Sequence, residues 1–221
     1  MKVLKILSGG AAQGLVEGLR ASFEATTGCR IEGAFGAVGA MKARLLAGEP
    51  ADVMILSRAL IDGLARDGQV IASSVTDVAT VATAVAVRRG DPLPDIADRA
   101  GLRAALLAAD AIHFPDPAQA TAGIHFAKVM RDLGIWDQVA DRLRTAPNGA
   151  MAMRELAGST AGRPIGCTQE TEIRATPGLA LVAPLPAGCD LTTIYTAAIT
   201  TTARAASEAG RFIAASTGRQ A

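Results

Sequence analysis

The sequence predicts an α/β fold in which the strands of a parallel sheet alternate with helices. Three observations support this class: short apolar runs, amphipathic patterns that follow them, and glycine-containing loops between the two. Strands that alternate with helices are typical of parallel sheets with right-handed crossover connections. The chain has 221 residues, of which 50% are hydrophobic and 19% are charged, so it can form one large or two small domains.

Three strand–helix units are predicted in the first part of the chain. Each strand is an apolar run, and each helix stops at or just before a glycine. The elements are strand Val3–Leu7, helix Gly14–Thr26, strand Arg30–Phe35, helix Ala40–Leu46, strand Val53–Leu56 and helix Ala59–Asp67. The long β-rich run Ala79–Arg88 follows, and there the chain could cross to a second lobe.

The second part of the chain continues this alternation. The predicted helices are Leu102–Ala109, Ala122–Leu133, Trp136–Leu143, Ala150–Leu156 and Ala203–Ser216, and the predicted strands are Ala111–Phe114, Ile165–Thr168, Leu179–Leu185 and Leu191–Thr201. The last helix could pack back on the first lobe. We therefore expect a discontinuous first lobe, residues 1–82 plus 196–221, and a second lobe, residues 83–195.

Composition argues against several classes of function. The formal net charge is +1 without a long basic run, so nucleic acid is not an expected partner. Cys29, Cys167 and Cys189 lack the spacing of a disulfide framework or a zinc site, and we expect them to be buried. No metal or cofactor motif is present, and neither group is expected.

The sequence also limits the relation of the chain to membranes. No run approaches the roughly 20 apolar residues of a membrane-spanning helix. The first strand leads directly into a glycine loop, without a hydrophobic run of signal-peptide length. We therefore expect either a cytoplasmic protein or a periplasmic one whose leader has been removed.

Three glycine-containing loops that precede predicted helices form a candidate anion site. A helix start presents unpaired N–H groups and the positive end of the helix dipole, and glycine lets a ligand approach that backbone closely. The predicted ligand-binding residues in these loops are Gly10, Ala11, Val38, Gly39, Asn148 and Gly149. The alternative is that the glycines serve only the tight strand-to-helix turns, and that Asn148 is simply a helix cap.

Several segments resemble the molybdate-binding proteins of ABC transporters. The resemblance is carried, in the same order along nearly the whole chain, by the Ser8–Gly14 loop, Gly48-Glu49-Pro50-Ala51-Asp52-Val53, Asp116-Pro117 with Ala122-Gly123-Ile124, and Gly166-Cys167-Thr168. It implies the type II solute-binding fold, with two α/β lobes joined by crossing strands around a ligand cleft. It also implies a small anionic ligand and an ABC permease as a partner.

The loops of this chain differ from that family in their side chains. Members that hold molybdate use hydroxyl and backbone N–H groups at the helix starts, whereas this chain has Ala11 and Ala12 in the first loop. The second loop contains no serine or threonine, and Gln169 stands where a tyrosine is usual. Each lost neutral donor is worth about 1 kcal/mol. We therefore expect a small carboxylate rather than molybdate.

Ser57 and Arg58 follow the third strand, at the edge where open α/β sheets bind ligands. Arg58 could hold a ligand carboxylate through two parallel hydrogen bonds, or it could be a solvated surface residue. Ser57 could contact the ligand, cap the helix that begins at Ala59, or do both.

Thr168 and Gln169 end a late strand and could donate hydrogen bonds to ligand oxygens. Glu170 and Glu172 come next, and strand alternation would place both on the face opposite Thr171. These carboxylates could be exposed, and we do not expect them to form a catalytic pair.

His125 is the candidate base if the protein is an enzyme. It is expected in the first turn of a helix, after Thr121, which could cap that helix or contact the ligand. The helix dipole would keep the imidazole neutral and able to accept a proton. The alternative is a structural, hydrogen-bonded histidine, and His113, in an apolar strand, is expected to be structural.

Two functions remain open. The preferred one is a solute-binding protein that clamps a small oxyanion or carboxylate between two lobes, because it needs few residues in special roles. The alternative is a cytosolic isomerase that shifts a double bond by proton transfer in an aconitate-like polycarboxylate, because aconitate isomerase also resembles the molybdate-binding family. In that enzyme His125 would be the base, Arg58 would hold a carboxylate, and Gln169 would stabilise the enolate-like oxygen.

Overall fold

The computed structural model describes residues 2–218 and confirms the predicted α/β class. Contacts divide the chain into two compact units. Unit 1 is formed by the chain before Val81 together with the chain after Thr192, and unit 2 is Val81–Thr192. The expected lobe boundaries, 1–82 with 196–221 and 83–195, differ from this division by a few residues, and two lobes that clamp a ligand remain a prediction.

Unit 1 is built on a sheet whose strand order is β2-β1-β3-β9. Its strands are β1 (Lys2–Gly9), β2 (Cys29–Gly36), β3 (Val53–Ser57) and β9 (Thr192–Ile199), and its helices are α1 (Gln13–Thr27), α2 (Val38–Leu46), α3 (Arg58–Arg66) and α9 (Ala206–Ser216). Strand β1 is parallel to β2 and β3, whereas β9 runs antiparallel to β3. The C-terminal helix packs on α1, where the rings of Phe23 and Phe212 meet edge to face at 5.7 Å.

Unit 2 has the strand order β8-β4-β7-β5-β6. Its strands are β4 (Thr76–Arg88, which begins in unit 1), β5 (Ala111–Pro115), β6 (Leu143–Ala146), β7 (Pro164–Gln169) and β8 (Leu179–Pro184). Its helices are α4 (Arg99–Ala108), α5 (Thr121–Asp132), α6 (Trp136–Val139), α7 (Gly149–Ala157) and α8 (Glu170–Arg174). Strands β5, β6 and β7 are parallel to one another, and β4 is antiparallel to β7 and β8.

Strand β4 explains how unit 2 fills a core on each face of its sheet. Val85 and Val87 belong to the larger cluster, together with Leu102 of α4 and Phe126 of α5. The alternate residues Ala84 and Ala86 face a smaller cluster with Met153 and Leu156 of α7. The alanine–valine alternation of this strand thus matches side-chain size to the space on each face.

The structure corrects one predicted helix. The segment expected to be helical from Trp136 to Leu143 leaves the α-helix after Val139, makes one 3₁₀ turn, and becomes strand β6. Strand β6 is four residues long and pairs in parallel with β5 from Ile112 to Pro115. So short a strand carries no periodic signal, and its pairing with β5 decides its conformation.

Asp52, at the end of the Gly48–Asp52 segment, anchors the C-terminal part of unit 1. Its side chain is buried, at 4% exposure. Oδ2 accepts a hydrogen bond from the backbone N–H of Lys5 at 2.8 Å, and Oδ1 accepts from the N–H groups of Arg204 and Ala205 at 2.7 and 2.9 Å. One carboxylate therefore joins β1 to the chain that enters α9.

Candidate functional site

The predicted ligand residues of unit 1 lie at the carboxyl edge of its parallel strands. Gly9 pairs with Gly36, and Ser8 pairs with Ile55, two residues before Ser57. The 3₁₀ turn before α1 and the first turns of α2 and α3 begin directly after these strand ends. The fold thus brings together, at one edge, the predicted residues Gly10, Ala11, Val38, Gly39, Ser57 and Arg58.

Backbone N–H groups are the main donors that the first two loops offer. Ala11, Ala37 and Val38 are buried and apolar. The one hydroxyl of the first loop, Ser8, is also buried and donates internally to the carbonyl of Gly9 at 2.9 Å. The first N–H groups of a helix have no partner within that helix, so they are the groups left to bind an anion.

Tyr195 belongs to the same edge, although it was not among the predicted site residues. It pairs with Ser57, is buried, and is the single tyrosine of the chain. A methyl group on Gly9 would lie 2.9 Å from Cε1 of this ring and 2.8 Å from Cγ1 of Val38. Gly9 is therefore needed so that the tyrosine ring and the α2 start can pack against β1.

Arg58 makes the predicted two-bond carboxylate contact, but its partner is Asp77 within unit 1. Its Nε donates to Oδ1 of Asp77 at 2.9 Å, and Nη2 donates to Oδ2. Thr196 also donates to Oδ1, at 2.7 Å, and these bonds, the one from Arg58 first, lower the pKa of Asp77. The Nε and Nη2 donors of Arg58 are therefore already used within unit 1, and a ligand would either displace Asp77 or bind the remaining N–H donors of the guanidinium.

Ser57 stands at the N-cap position of α3, but its side chain makes no capping hydrogen bond. The capping interpretation of Ser57 is thus wrong. Thr121 is likewise not a cap, because Ala120 occupies the N-cap position of α5 and Thr121 is the first helical residue. Both residues keep their predicted place beside a helix start.

Unit 2 has a similar carboxyl edge, where β5, β6 and β7 end and α5, α7 and α8 begin. The predicted residues Thr121, Asn148, Gly149, Thr168 and Gln169 lie in these strand ends and helix starts. Asn148 caps α7, since its side-chain oxygen accepts from the N–H of Met151 at 3.0 Å, which confirms the capping interpretation.

Glu172 is buried at this edge, and the position that strand alternation predicted for it was wrong. The chain after Gln169 forms helix α8 rather than an extended strand, and Glu172 is 7% exposed. Its Oε2 accepts a hydrogen bond from the hydroxyl of Thr168 at 2.6 Å. Burial raises its pKa to about 7, although the bonds from Thr168 and from the N–H groups of Gln169 and Ala150 act in the opposite direction.

Gly149 gives this carboxylate its place at the start of α7. A side chain at Gly149 would overlap Oε2 of Glu172 and Oγ1 of Thr168. The glycine that was predicted to admit a ligand thus admits a carboxylate of the protein itself. The favourable position for an anion at this helix start is occupied internally.

The two histidines have different surroundings. His125 is the fifth residue of α5, beyond the first turn, and its Nε2 lies 2.7 Å from the carbonyl oxygen of Cys189. A carbonyl only accepts, so Nε2 donates, and Nδ1 is the acceptor of the neutral ring. His113 is buried, neither ring nitrogen has a hydrogen-bond partner among residues 2–218, and burial lowers its pKa.

The structure also bears on the cysteines, on metal-binding groups and on membrane-spanning helices. The three cysteines are buried and unbridged, as expected. Within residues 2–218, no group of three or more histidine, cysteine, aspartate or glutamate side chains is arranged to hold a metal ion. Within the same range, every helix is too short or too polar to cross a membrane.

Comparison with known proteins gives results that agree with this fold. The model of a family described as bacterial extracellular solute-binding proteins matches residues 4–221. The aconitate isomerase of a Pseudomonas species is 29% identical over 203 residues, which cover 89% of this chain and 75% of that protein. Both findings agree with the resemblance stated from the sequence.

Solved structures extend the similarity to the fold. The periplasmic molybdate-binding protein of Azotobacter vinelandii superimposes with a TM-score of 0.78 at 20% identity, covering 97% of this chain and 93% of that one. The tungstate ABC transporter protein of Geobacter sulfurreducens gives a TM-score of 0.70 at 18% identity, covering 96% and 92%. At these identities the likeness establishes the type II solute-binding fold and leaves the ligand open.

Proposed function

Because the chain belongs to the family of bacterial extracellular solute-binding proteins, we propose that it binds a small polycarboxylate through the helix starts at its sheet edges. The observation that carries this proposal is the carboxyl edge of unit 1, where three helix starts adjoin three parallel strand ends. Such starts bind negatively charged groups with backbone N–H donors and the helix dipole.

The side chains at this edge favour a carboxylate over a tetrahedral oxyanion. Four oxygens of a buried dianion need many donors, and the side chains of Ala11 and Ala37 supply none beyond the backbone N–H groups. A carboxylate has two oxygens in one plane, which is the geometry that Arg58 already satisfies with Asp77. The 29% identical relative is by name an enzyme of aconitate, a tricarboxylate, which also supports this ligand class.

The role that we propose is to bind the carboxylate outside the cytoplasm and to deliver it to an ABC permease. It is supported by the family, whose members are described as extracellular solute-binding proteins. Structural neighbours named as periplasmic and ABC transporter proteins support it as well.

A ligand panel tests the proposed carboxylate. We expect citrate or one of the two aconitate isomers to raise the melting temperature, with molybdate, tungstate and sulfate leaving it unchanged. A ligand present at 100 times its Kd stabilises the native state by about 2.7 kcal/mol.

Arg58→Ala should weaken carboxylate binding at least about tenfold. Arg30→Ala, which removes another exposed, ion-paired arginine on β2, is the matched control. Molybdate or tungstate binding at micromolar Kd or tighter, measured by calorimetry, would overturn the proposal.

A second candidate function is isomerisation of the bound polycarboxylate, with His125 as the base. It is favoured by the aconitate isomerase relative and by the hydrogen bond to Cys189, which orients the ring and makes Nδ1 the proton acceptor. We expect the wild type to exchange solvent deuterium into aconitate. His125→Ala and His125→Gln should abolish that exchange while keeping the Kd within about tenfold.

Two outcomes would contradict this candidate. If the wild type exchanges deuterium into no polycarboxylate, the isomerase function fails and the binding function stands alone. If His125→Gln exchanges at the wild-type rate, the histidine is structural and the base is another group.

A further inference from the structure

Glu172 places a negative charge of the protein at the edge where unit 2 would bind an anion. Its carboxylate receives hydrogen bonds from the Thr168 hydroxyl and from the N–H groups of Ala150, in the first turn of α7, and Gln169, at the end of β7. It therefore ties the start of α7 to the end of β7. Gly149, a predicted ligand residue, lies directly against it.

The surroundings of this carboxylate are polar but do not neutralise it. The charged or titratable residues on the neighbouring elements and loops are His113, Asp116, Arg144, Arg154, Glu155, Cys167, Glu170 and Arg174. Arg174 is paired with Glu170, and burial favours the neutral form of His113. No charged side chain is among the groups that shift the pKa of Glu172. Its charge is thus balanced only by hydrogen-bond dipoles.

We propose that Glu172 is a positioning residue that couples anion binding to the uptake of a proton by its own carboxyl group. This inference rests on the proposed function, and it concerns the helix start that unit 2 would contribute to binding. The neutral carboxyl keeps the start of α7 tied to β7, and it removes the charge that opposes an incoming carboxylate. The ligand and Glu172 thereby share one favourable region without both being charged.

The direction of the pH dependence follows from the repulsion between the two anions. A bound anion disfavours the charged form of Glu172, so the pKa of this group is higher in the complex than in the unliganded protein, where it is about 7. Affinity is then highest below pH 7 and falls as the pH rises through the unliganded pKa. It levels off above the pKa of the complex. An increase of one pKa unit corresponds to about tenfold in Kd.

Calorimetry with trans-aconitate tests this coupling. In two buffers of different ionisation enthalpy at pH 7.5, the wild type should take up a fraction of a proton for each ligand bound. Its affinity should be about tenfold weaker at pH 9 than at pH 6. Glu172→Gln keeps the shape of the side chain without the titration, so its affinity should be nearly constant over this range. Glu170→Gln, on the same helix but paired with Arg174, should behave like the wild type.

A second measurement follows Glu172 without a substitution. In the wild type labelled with ¹³C at the glutamate carboxyls, its resonance should titrate near pH 7 and move to a higher pH when trans-aconitate is added. If trans-aconitate binds the wild type with no proton uptake and no shift of this titration, the inference is wrong and the proposed function stands. If neither trans-aconitate nor citrate binds the wild type or the variants, the proposed function fails and this inference fails with it.

Discussion

Replacing Gly149 by alanine is expected to destabilise the protein by about 3 kcal/mol or more. The added methyl group overlaps the Glu172 carboxylate and the Thr168 hydroxyl, both of them buried. Either α7 moves away from β7, or the carboxylate loses its donors while it remains inside the protein. Both outcomes cost more than an exposed substitution, because buried polar groups are expensive to leave without partners. Urea denaturation measures the loss.

Gly18→Ala is the matched control for this prediction. Gly18 lies on the exposed side of α1 with open space around it, so alanine there should raise stability by about 0.5–1 kcal/mol. Combining Gly149→Ala with Thr168→Ala and Glu172→Ala removes the clashing atoms of both side chains and should recover part of the loss. A Gly149→Ala variant as stable as the wild type would show that the carboxylate does not occupy the start of α7.

Replacing Asp52 by alanine is expected to cost about 3–5 kcal/mol of unfolding free energy. Three buried or partly buried N–H groups, those of Lys5, Arg204 and Ala205, lose a charged acceptor. Hydrogen bonds to charged groups contribute about 1.5–3 kcal/mol each, and an orphaned buried donor carries an additional desolvation cost. Asp52→Asn should be less stable than the wild type and more stable than Asp52→Ala, because the side-chain oxygen of asparagine still accepts a hydrogen bond.

Hydrogen exchange locates the Asp52 effect within the protein. In Asp52→Ala, the amide protons of Arg204 and Ala205 should exchange faster, because they have lost their hydrogen-bond acceptor. These residues lead into α9. Asp62→Ala, on the partly buried surface of α3, is the control and should change stability by less than about 0.5 kcal/mol. A loss below 1 kcal/mol in Asp52→Ala would mean that this carboxylate does not hold the C-terminal segment.

Features that depend on local sequence were predicted well. The strand–helix alternation follows from apolar runs and from the glycines after helices, and it led to the correct fold class. The cap at Asn148 was identified because capping involves residues only three positions apart. The resemblance to a solute-binding family could be recognised because loop motifs in a fixed order are properties of the sequence itself. The match to the family model confirmed it.

Features that depend on distant residues were not predicted. Strand β6 exists because β5 pairs with it, and α8 has five residues, too few for a helical period to be recognised. Asp77, which binds Arg58, is 19 positions away, and Cys189, which binds His125, is 64 positions away. The predicted ligand residues lie at the two sheet edges, and their contact with a ligand remains a prediction.

The sequence by itself determined the α/β class, the helix starts and the scarcity of side-chain donors in the first two loops, because each of these is encoded within a few adjacent residues. Only the tertiary structure decided which groups those helix starts and charged side chains meet. Thr168, Gly149 and Glu172 converge because parallel strands β6 and β7 end at the same edge of one sheet. Burial there also decides the protonation of Glu172, since the free energy of a charge depends on its surroundings and not on its neighbours in sequence.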